Sequence, residues 1–185
     1  CEKTMIAYMI IAMAIGFLIS WFFAGIVLGV VFLMVWIDKS IIGYAGFLHR
    51  FGIEITTIAT VFLGLTTGPV FAFFFTLIVV VLAHGFRHIA FPSAPTEWPP
   101  FVPYPWNFID AAGAVTASLI RLPIFHTLLI VLLVKVILYI IIDRIAFGKP
   151  PDFVGGVTNV VFNLAIFLPL SQFFISITGA QFVLY

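Results

Sequence analysis

The feature that most constrains this chain is an apolar run from Met5 to Ile37 that contains no charged residue. The hydrocarbon core of a bilayer is about 30 Å thick, and about 20 helical residues cross it. At about 1.5 Å per residue, one straight helix over this run would reach about 50 Å. We therefore expect a break, and Gly25 is the candidate position. The run also far exceeds the roughly 7 to 15 apolar residues of a signal-peptide core, so we expect it to stay in the protein.

The composition of the whole chain agrees with a membrane location. Of its 185 residues, 64% are hydrophobic and 8% are charged, and the mean hydropathy is +1.29. So few polar side chains cannot cover a water-soluble globule. Helices satisfy their own backbone hydrogen bonds in lipid. The predicted fold class is therefore all-α, a polytopic transmembrane helical bundle that forms a single domain over residues 1–185, located in the cell membrane.

Breaks in the hydropathy predict about six spans. They cover residues 5–37, 51–66, 70–82, 108–122, 124–142 and 153–178. Gly68 and Pro69 separate the second span from the third, because proline lacks the backbone N–H that a continuous helix needs. Hydroxyl groups near this break could bond freed backbone groups or a ligand. They belong to Thr56, Thr57, Thr60, Thr66 and Thr67.

A proline-rich segment covers residues 84–107 and holds six of the eleven prolines. Trp98, Phe101, Tyr104 and Trp106 are interleaved with these prolines, and such aromatic rings favour the membrane surface. Proline at this density prevents a helix. We predict an interfacial loop here, which acts either as a lid over a cavity or as a passive anchor.

Several classes of protein find no support in the sequence. The net charge is +1 and the basic residues are scattered, which argues against nucleic-acid binding. The single cysteine excludes an internal disulfide. His84 and His88 have a spacing that can bind a metal, but no adjacent carboxylate completes a site, so neither a metal nor a cofactor is predicted. Catalytic motifs are absent, so the chain is not expected to be an enzyme.

Lys135 lies deep in the fifth predicted span, where an unpaired ammonium group is unfavourable. Asp110 is the first candidate for its partner, and Glu54 is the second. The pair could form part of a ligand site, or it could fix the helices as a buried ion pair. Arg50 stands four residues before Glu54, so a local pair between these two is also expected.

Two further sets of residues are candidates for a site and an interface. Asn159 and Asn163 repeat a four-residue spacing inside the last span, where their amides could bind a polar ligand or bond a neighbouring helix. Small residues in the first span would let another helix approach closely, either within this chain or from another membrane subunit. They are Ala12, Gly16, Gly25 and Gly29.

Two stretches, from Gly52 to Leu82 and from Val157 to Leu170, resemble the substrate-binding S subunits of energy-coupling-factor vitamin transporters. The cell-shape protein MreD shares the same pattern of Gly-Pro breaks and apolar runs. The resemblance to S subunits implies a six-helix unit that binds a vitamin or a metal. It also implies docking on an energising module through Ala12 and Gly16, and ligand contacts from Asn159 and Asn163.

The distribution of basic residues predicts an orientation. With six spans, most Lys and Arg residues fall on one side and only Lys3 and Arg121 on the other, so the positive-inside rule places both termini outside. The resemblance to S subunits implies that both termini are inside. A hairpin within residues 5–37 would change the number of spans and with it this orientation.

The function predicted from these features is that of a membrane subunit for small-molecule uptake, which binds a small polar ligand between its helices. The alternative is a non-catalytic structural subunit of a larger membrane complex. The expected partners are the lipid bilayer, other membrane subunits and possible small-molecule ligands, without nucleic acid.

Overall fold

The computed structural model describes residues 2–44, 48, 51–91, 99–182 and 184, and over these residues the protein is an all-α helical bundle. The predicted fold class is therefore confirmed. The helices are α1 (Glu2–Ile37), α2 (Thr56–Thr66), α3 (Pro69–Ala90), α4 (Pro105–Ile120), α5 (Ile124–Ala146) and α6 (Phe153–Thr178). A π-helical turn, Asp38–Ile42, extends α1.

Four stretches of the described chain are long and apolar enough to cross a membrane. They are α1 with its π-helical turn (Thr4–Ile42), α3, α5 and α6. The chain is accordingly a membrane protein. Helices α2 and α4 have 11 and 16 residues, which correspond to about 16 and 24 Å, less than the hydrocarbon core. The predicted count of six spans is therefore not confirmed.

Helix α1 folds back on itself at Ala24 and Gly25. Both residues leave the helical conformation, with φ of −141° and +81°. The ring of Phe32 packs directly against Gly16, although 16 residues of straight helix would separate these positions by about 24 Å. The predicted break at Gly25 is thus a reversal, which divides α1 into a first limb before Ala24 and a second limb after Gly25.

The small residues of α1 serve this hairpin. Gly16 leaves room for the ring of Phe32, and Gly29 leaves room for Phe17 and Trp21 of the opposite limb. Close approach of two helices at small residues is the normal means of packing where no hydrophobic force acts between them. Ala12 is half-buried against the core. Docking of another subunit on these residues stays a prediction.

Helices α2 and α4 lie at the centre of the bundle. The side chains of α2 are buried from Thr56 to Gly64, and a Cβ atom on Gly64 would lie 2.5 Å from the Cβ atom of Ala117 in α4. The two helices also end together, since the Ser118 hydroxyl donates to the Thr67 carbonyl at 2.8 Å. The small side chains of α4 make this close packing possible.

Helices meet at two opposite ends of the bundle. At the first, which we call the cavity end, the end of α3 contacts the π-helical turn through Arg87 and Lys39, and α6 begins. At the second, the distal end, the Ser118 hydroxyl donates to the Thr67 carbonyl and the Phe125 N–H donates to the Leu184 carbonyl.

Because α1 is a hairpin, its first residues lie beside the π-helical turn, at the cavity end. The start of α1 and the end of α6 are therefore at opposite ends, which corrects the expectation that both termini share a side.

The proline-rich segment is shorter than predicted. Residues 84–90 belong to α3 and residues 105–107 to α4. Helix α3 continues because residues 84–90 contain no proline, and α4 tolerates Pro105 because the first helical residue needs no bonded N–H. Between α3 and α4 the structure describes residues 91 and 99–104, and residues 92–98, including Trp98, lie outside the described residues.

Candidate functional site

A cavity of about 950 Å³ opens between the helices at the cavity end. Its walls come from α3, α4, α5 and the first turns of α6, and residues 99–104 cover part of it. This volume falls in the upper part of the range of small-molecule sites, about 300 to 1,000 Å³. The proline-rich segment therefore borders a cavity, as expected for a lid, although the anchoring role stays equally open.

Four charged side chains at the bottom of the cavity form a closed ring. Lys135 Nζ lies 2.7 Å from Glu54 Oε1 and 2.8 Å from Asp110 Oδ1. Lys39 Nζ lies 3.4 Å from Glu54 Oε2 and 2.9 Å from Asp110 Oδ2. Each carboxylate therefore uses its two oxygens for two different lysines. We call these four residues the charged ring, and none of their side chains is more than 5% exposed.

Lys135 uses all three of its N–H donors inside the protein. Besides the two carboxylates, it donates to Thr57 Oγ1 at 2.6 Å. The Thr57 hydroxyl in turn donates to Glu54 Oε1 at 2.6 Å. An ammonium group has three donors and no acceptor, so Lys135 has none left for a ligand while the ring is intact.

Asp38 joins the charged ring to the start of α2. Its Oδ1 accepts the backbone N–H of Ile55 at 2.9 Å, and its Oδ2 accepts the hydroxyl of Thr56. Lys39 Nζ lies 3.6 Å from the same carboxylate. Asp38 thus satisfies backbone and side-chain donors at a helix N-terminus, where a negative charge is favoured.

The predicted partner of Lys135 is present. Asp110 pairs with it, and Glu54, the second candidate, pairs with it as well. Arg50 lies outside the described residues, so the expected pair of Arg50 and Glu54 stays a prediction. The sequence prediction did not include Lys39 in the site, because this residue directly follows the long apolar run and its depth cannot be read from the sequence.

The threonines near the Gly-Pro break divide into two groups. Thr60, Thr66 and Thr67 donate to backbone carbonyls of the preceding turn, which is the backbone role that the sequence suggested. Thr56 and Thr57 instead bond the carboxylates of Asp38 and Glu54. Two of the five threonines therefore hold carboxylates in or beside the charged ring.

Asn159 and Asn163 have different surroundings. Asn159 lines the cavity, and its Nδ2 donates to the carbonyl of Gly52 at 2.8 Å. Asn163 is fully buried, and its Nδ2 donates to the carbonyl of Asn159 at 2.9 Å. Asn163 is not among the residues that line the cavity. The amide of Asn159 thus ties α6 to another part of the chain, and its ligand role stays a prediction.

The two histidines of α3 both line the cavity. His84 Nδ1 and Asn107 Nδ2 are 3.0 Å apart, which joins α3 to the first turn of α4. In the described part of the chain, no group of three or more His, Cys, Asp and Glu side chains has an arrangement that could hold a metal ion.

Arg87 also lines the cavity, next to the charged ring. Its Nη1 donates to the carbonyl of Lys39 at 3.2 Å, and it packs against Gly43. The sequence prediction did not include Arg87 among the site residues, because its exposure to a cavity depends on where α3 ends.

Comparisons of the chain with models of known protein families, with curated proteins and with solved structures found no match.

Proposed function

We propose that this protein is a subunit of a cell-membrane system for small-molecule uptake, and that it binds a small polar ligand in the cavity between its helices. The observation that carries the proposal is the 950 Å³ cavity with a charged ring at its bottom. Binding sites of membrane transporters lie in such cavities between helices, where polar groups can be reached inside the bilayer.

The charged ring supports the site mainly by shaping its floor. Its charges are compensated within the ring, so ligand contacts come from the walls. Polar groups there belong to Asn159 and Tyr139, and aromatic surface comes from Trp106 and Tyr104. A mixture of apolar surface with a few polar groups is typical of small-molecule sites.

The proposal does not depend on the resemblance to S subunits. That resemblance implies two termini on the same side, whereas the start of α1 and the end of α6 are at opposite ends of this bundle. Uptake is proposed from the cavity, and association with other membrane subunits is proposed from the large lipid-facing surface of the first limb of α1.

A variant that fills the cavity tests the proposal. Gly156 lines the cavity, and a Cβ atom added there has no neighbour within 4 Å. Gly156→Trp should therefore occupy the cavity without disturbing the packing. Gly68→Trp is the matched control, since Gly68 is equally open but lies at the distal end.

The measurement is mass spectrometry of small molecules extracted from the purified proteins. We expect the wild type and Gly68→Trp to retain a common organic molecule and Gly156→Trp to lose it. If all three proteins retain the same molecules, or none at all, the binding function is wrong. Purification with unchanging partners and no retained ligand would support the structural-subunit alternative.

A further inference from the structure

The wall formed by α3 presents three basic side chains to the cavity. His84, Arg87 and His88 all line it, and residues three or four apart share one face of a helix. Arg87 contacts the backbone of Lys39, a member of the charged ring. This wall is therefore the place where a charged ligand would meet the protein.

Arg87 has no carboxylate in contact with it in the described part of the chain. Its contact with the Lys39 carbonyl uses one of five guanidinium N–H donors. In the residues that the structure describes, no carboxylate lies within 4.0 Å of it, whereas both lysines of the charged ring have at least two such neighbours. A half-buried guanidinium without an anion is unfavourable unless a ligand or water supplies acceptors.

The carboxylates around the cavity are already engaged. Glu54 and Asp110 each bind two lysines. At the rim, Asp143 accepts the indole N–H of Trp106 at 3.2 Å, and Asp152 accepts the N–H of Gly155 at 2.8 Å. The rim thus keeps the charges of these two aspartates and of Lys149, whereas on the inner wall, among the described residues, the cation without a carboxylate within 4.0 Å is Arg87.

We propose that the cavity binds an organic anion, and that Arg87 holds its carboxylate or phosphate group. A planar guanidinium matches these groups with two parallel hydrogen bonds. The cavity has room for far more than an inorganic ion, and Trp106 and Tyr139 offer surface for the rest of the molecule. The inference rests on the proposed binding function and adds the class of ligand.

Arg87 also supports the fold through its bond to the Lys39 carbonyl, so the experiment must separate the two roles. Arg87→Gln keeps an N–H donor for that carbonyl and removes the charge. Arg87→Lys keeps the charge and removes the planar pair of donors. Arg121→Gln is the control, because Arg121 is an exposed arginine at the distal end that does not line the cavity.

The four proteins are purified in buffer without phosphate, and molecules retained by each are extracted into an aqueous phase and an organic phase for mass spectrometry. We expect the wild type and Arg121→Gln to retain a carboxylate or phosphate compound. Retention should fall about tenfold or more in Arg87→Gln, since charge-assisted hydrogen bonds are roughly twice as strong as those between neutral groups. The amount of anion retained by Arg87→Lys should lie between the amounts retained by the wild type and by Arg87→Gln. Thermal melting shows which variants are folded.

Each outcome decides a separate point. An anion in the aqueous phase that depends on Arg87 supports both proposals. An anionic phospholipid in the organic phase with the same dependence supports recognition by Arg87 and contradicts uptake of a soluble molecule. A neutral or cationic compound in the wild type, or an anion retained equally by folded Arg87→Gln or Arg87→Lys, overturns this inference and leaves the binding function standing. No retained molecule in any protein overturns both.

Discussion

Lys135 keeps its charge inside the bundle because three acceptors surround its ammonium group. The depth of Lys135 in an apolar span was enough to predict a carboxylate partner, since an unpaired charge there is unfavourable. The participation of Lys39 could not be predicted in the same way. It depends on the packing of the π-helical turn against the end of α3, which brings Lys39 within reach of Asp110, and no local sequence signal marks that contact.

Removing one member of the charged ring should destabilise the protein more than removing two neighbouring members of opposite charge. Asp110→Asn leaves Lys39 and Lys135 sharing Glu54, and breaking a buried ion pair costs about 3 to 5 kcal/mol. Adding Lys135→Met removes the stranded ammonium group and leaves Lys39 beside Glu54. We expect the double variant to melt at a higher temperature in detergent than Asp110→Asn alone.

The control for this comparison is Asp152→Asn. Asp152 is exposed and caps α6 through the N–H of Gly155, and asparagine caps a helix equally well. Its melting temperature should stay near that of the wild type. If the double variant is no more stable than Asp110→Asn, the pairing contributes nothing measurable and the interpretation of the ring is wrong.

At the scale of helices, proline and glycine positions located most boundaries. Pro69 stands at the start of α3 and Pro123 just before α5, at the boundaries between predicted spans, whereas Pro105 begins α4 inside the segment that was predicted as a loop. The direction of α1 after Gly25 could not be read from the sequence, because both limbs are uniformly apolar. Glycine there permits a straight, kinked or reversed helix, and only contacts between the limbs decide among them.

Gly25→Ala should destabilise the hairpin through the backbone alone. At φ +81° and ψ 177°, Gly25 occupies a region that residues with a Cβ atom rarely adopt, and such strain costs about 1 to 3 kcal/mol. An added Cβ atom there has no neighbour within 4 Å, so no steric clash contributes. The melting temperature in detergent should fall for Gly25→Ala. It should change little for Gly68→Ala, where φ is −79° and the surroundings are equally open.

Gly64→Ala tests the contact between α2 and α4 by crowding. The added methyl group would clash with the backbone carbonyl of Ala114, and overpacking of a tight core costs about 1 to 3 kcal/mol. Gly156→Ala is the matched control, because it adds the same methyl group to a helical glycine with open surroundings. A lower melting temperature for Gly156→Ala than for Gly64→Ala would show that α2 and α4 are not packed as described.

For the whole molecule, the hairpin moves the start of the chain to the opposite side and leaves the predicted sides of the later loops unchanged. Residue 3 now belongs to the same end as most basic residues. At the cavity end lie Lys39, Arg87, Arg144 and Lys149, and at the distal end lies Arg121. Basic residues flanking spans favour the cytoplasmic side. This rule therefore predicts that the cavity opens toward the cytoplasm, and that α6 ends outside.

Single cysteines introduced into a Cys1→Ser background test this orientation. Phe22, which is 86% exposed at the tip of the hairpin, and Gln181 mark the distal end, while Pro150 marks the cavity end. In intact cells, a membrane-impermeant maleimide should label Phe22→Cys and Gln181→Cys, and it should label Pro150→Cys only after permeabilisation. Labelling of Pro150→Cys from outside would reverse the assignment. With the predicted result, the uptake function proposed above would have the described conformation release its ligand into the cytoplasm. Uptake then requires a second conformation in which the charged ring opens toward the distal end, because the ring now closes the cavity on that side.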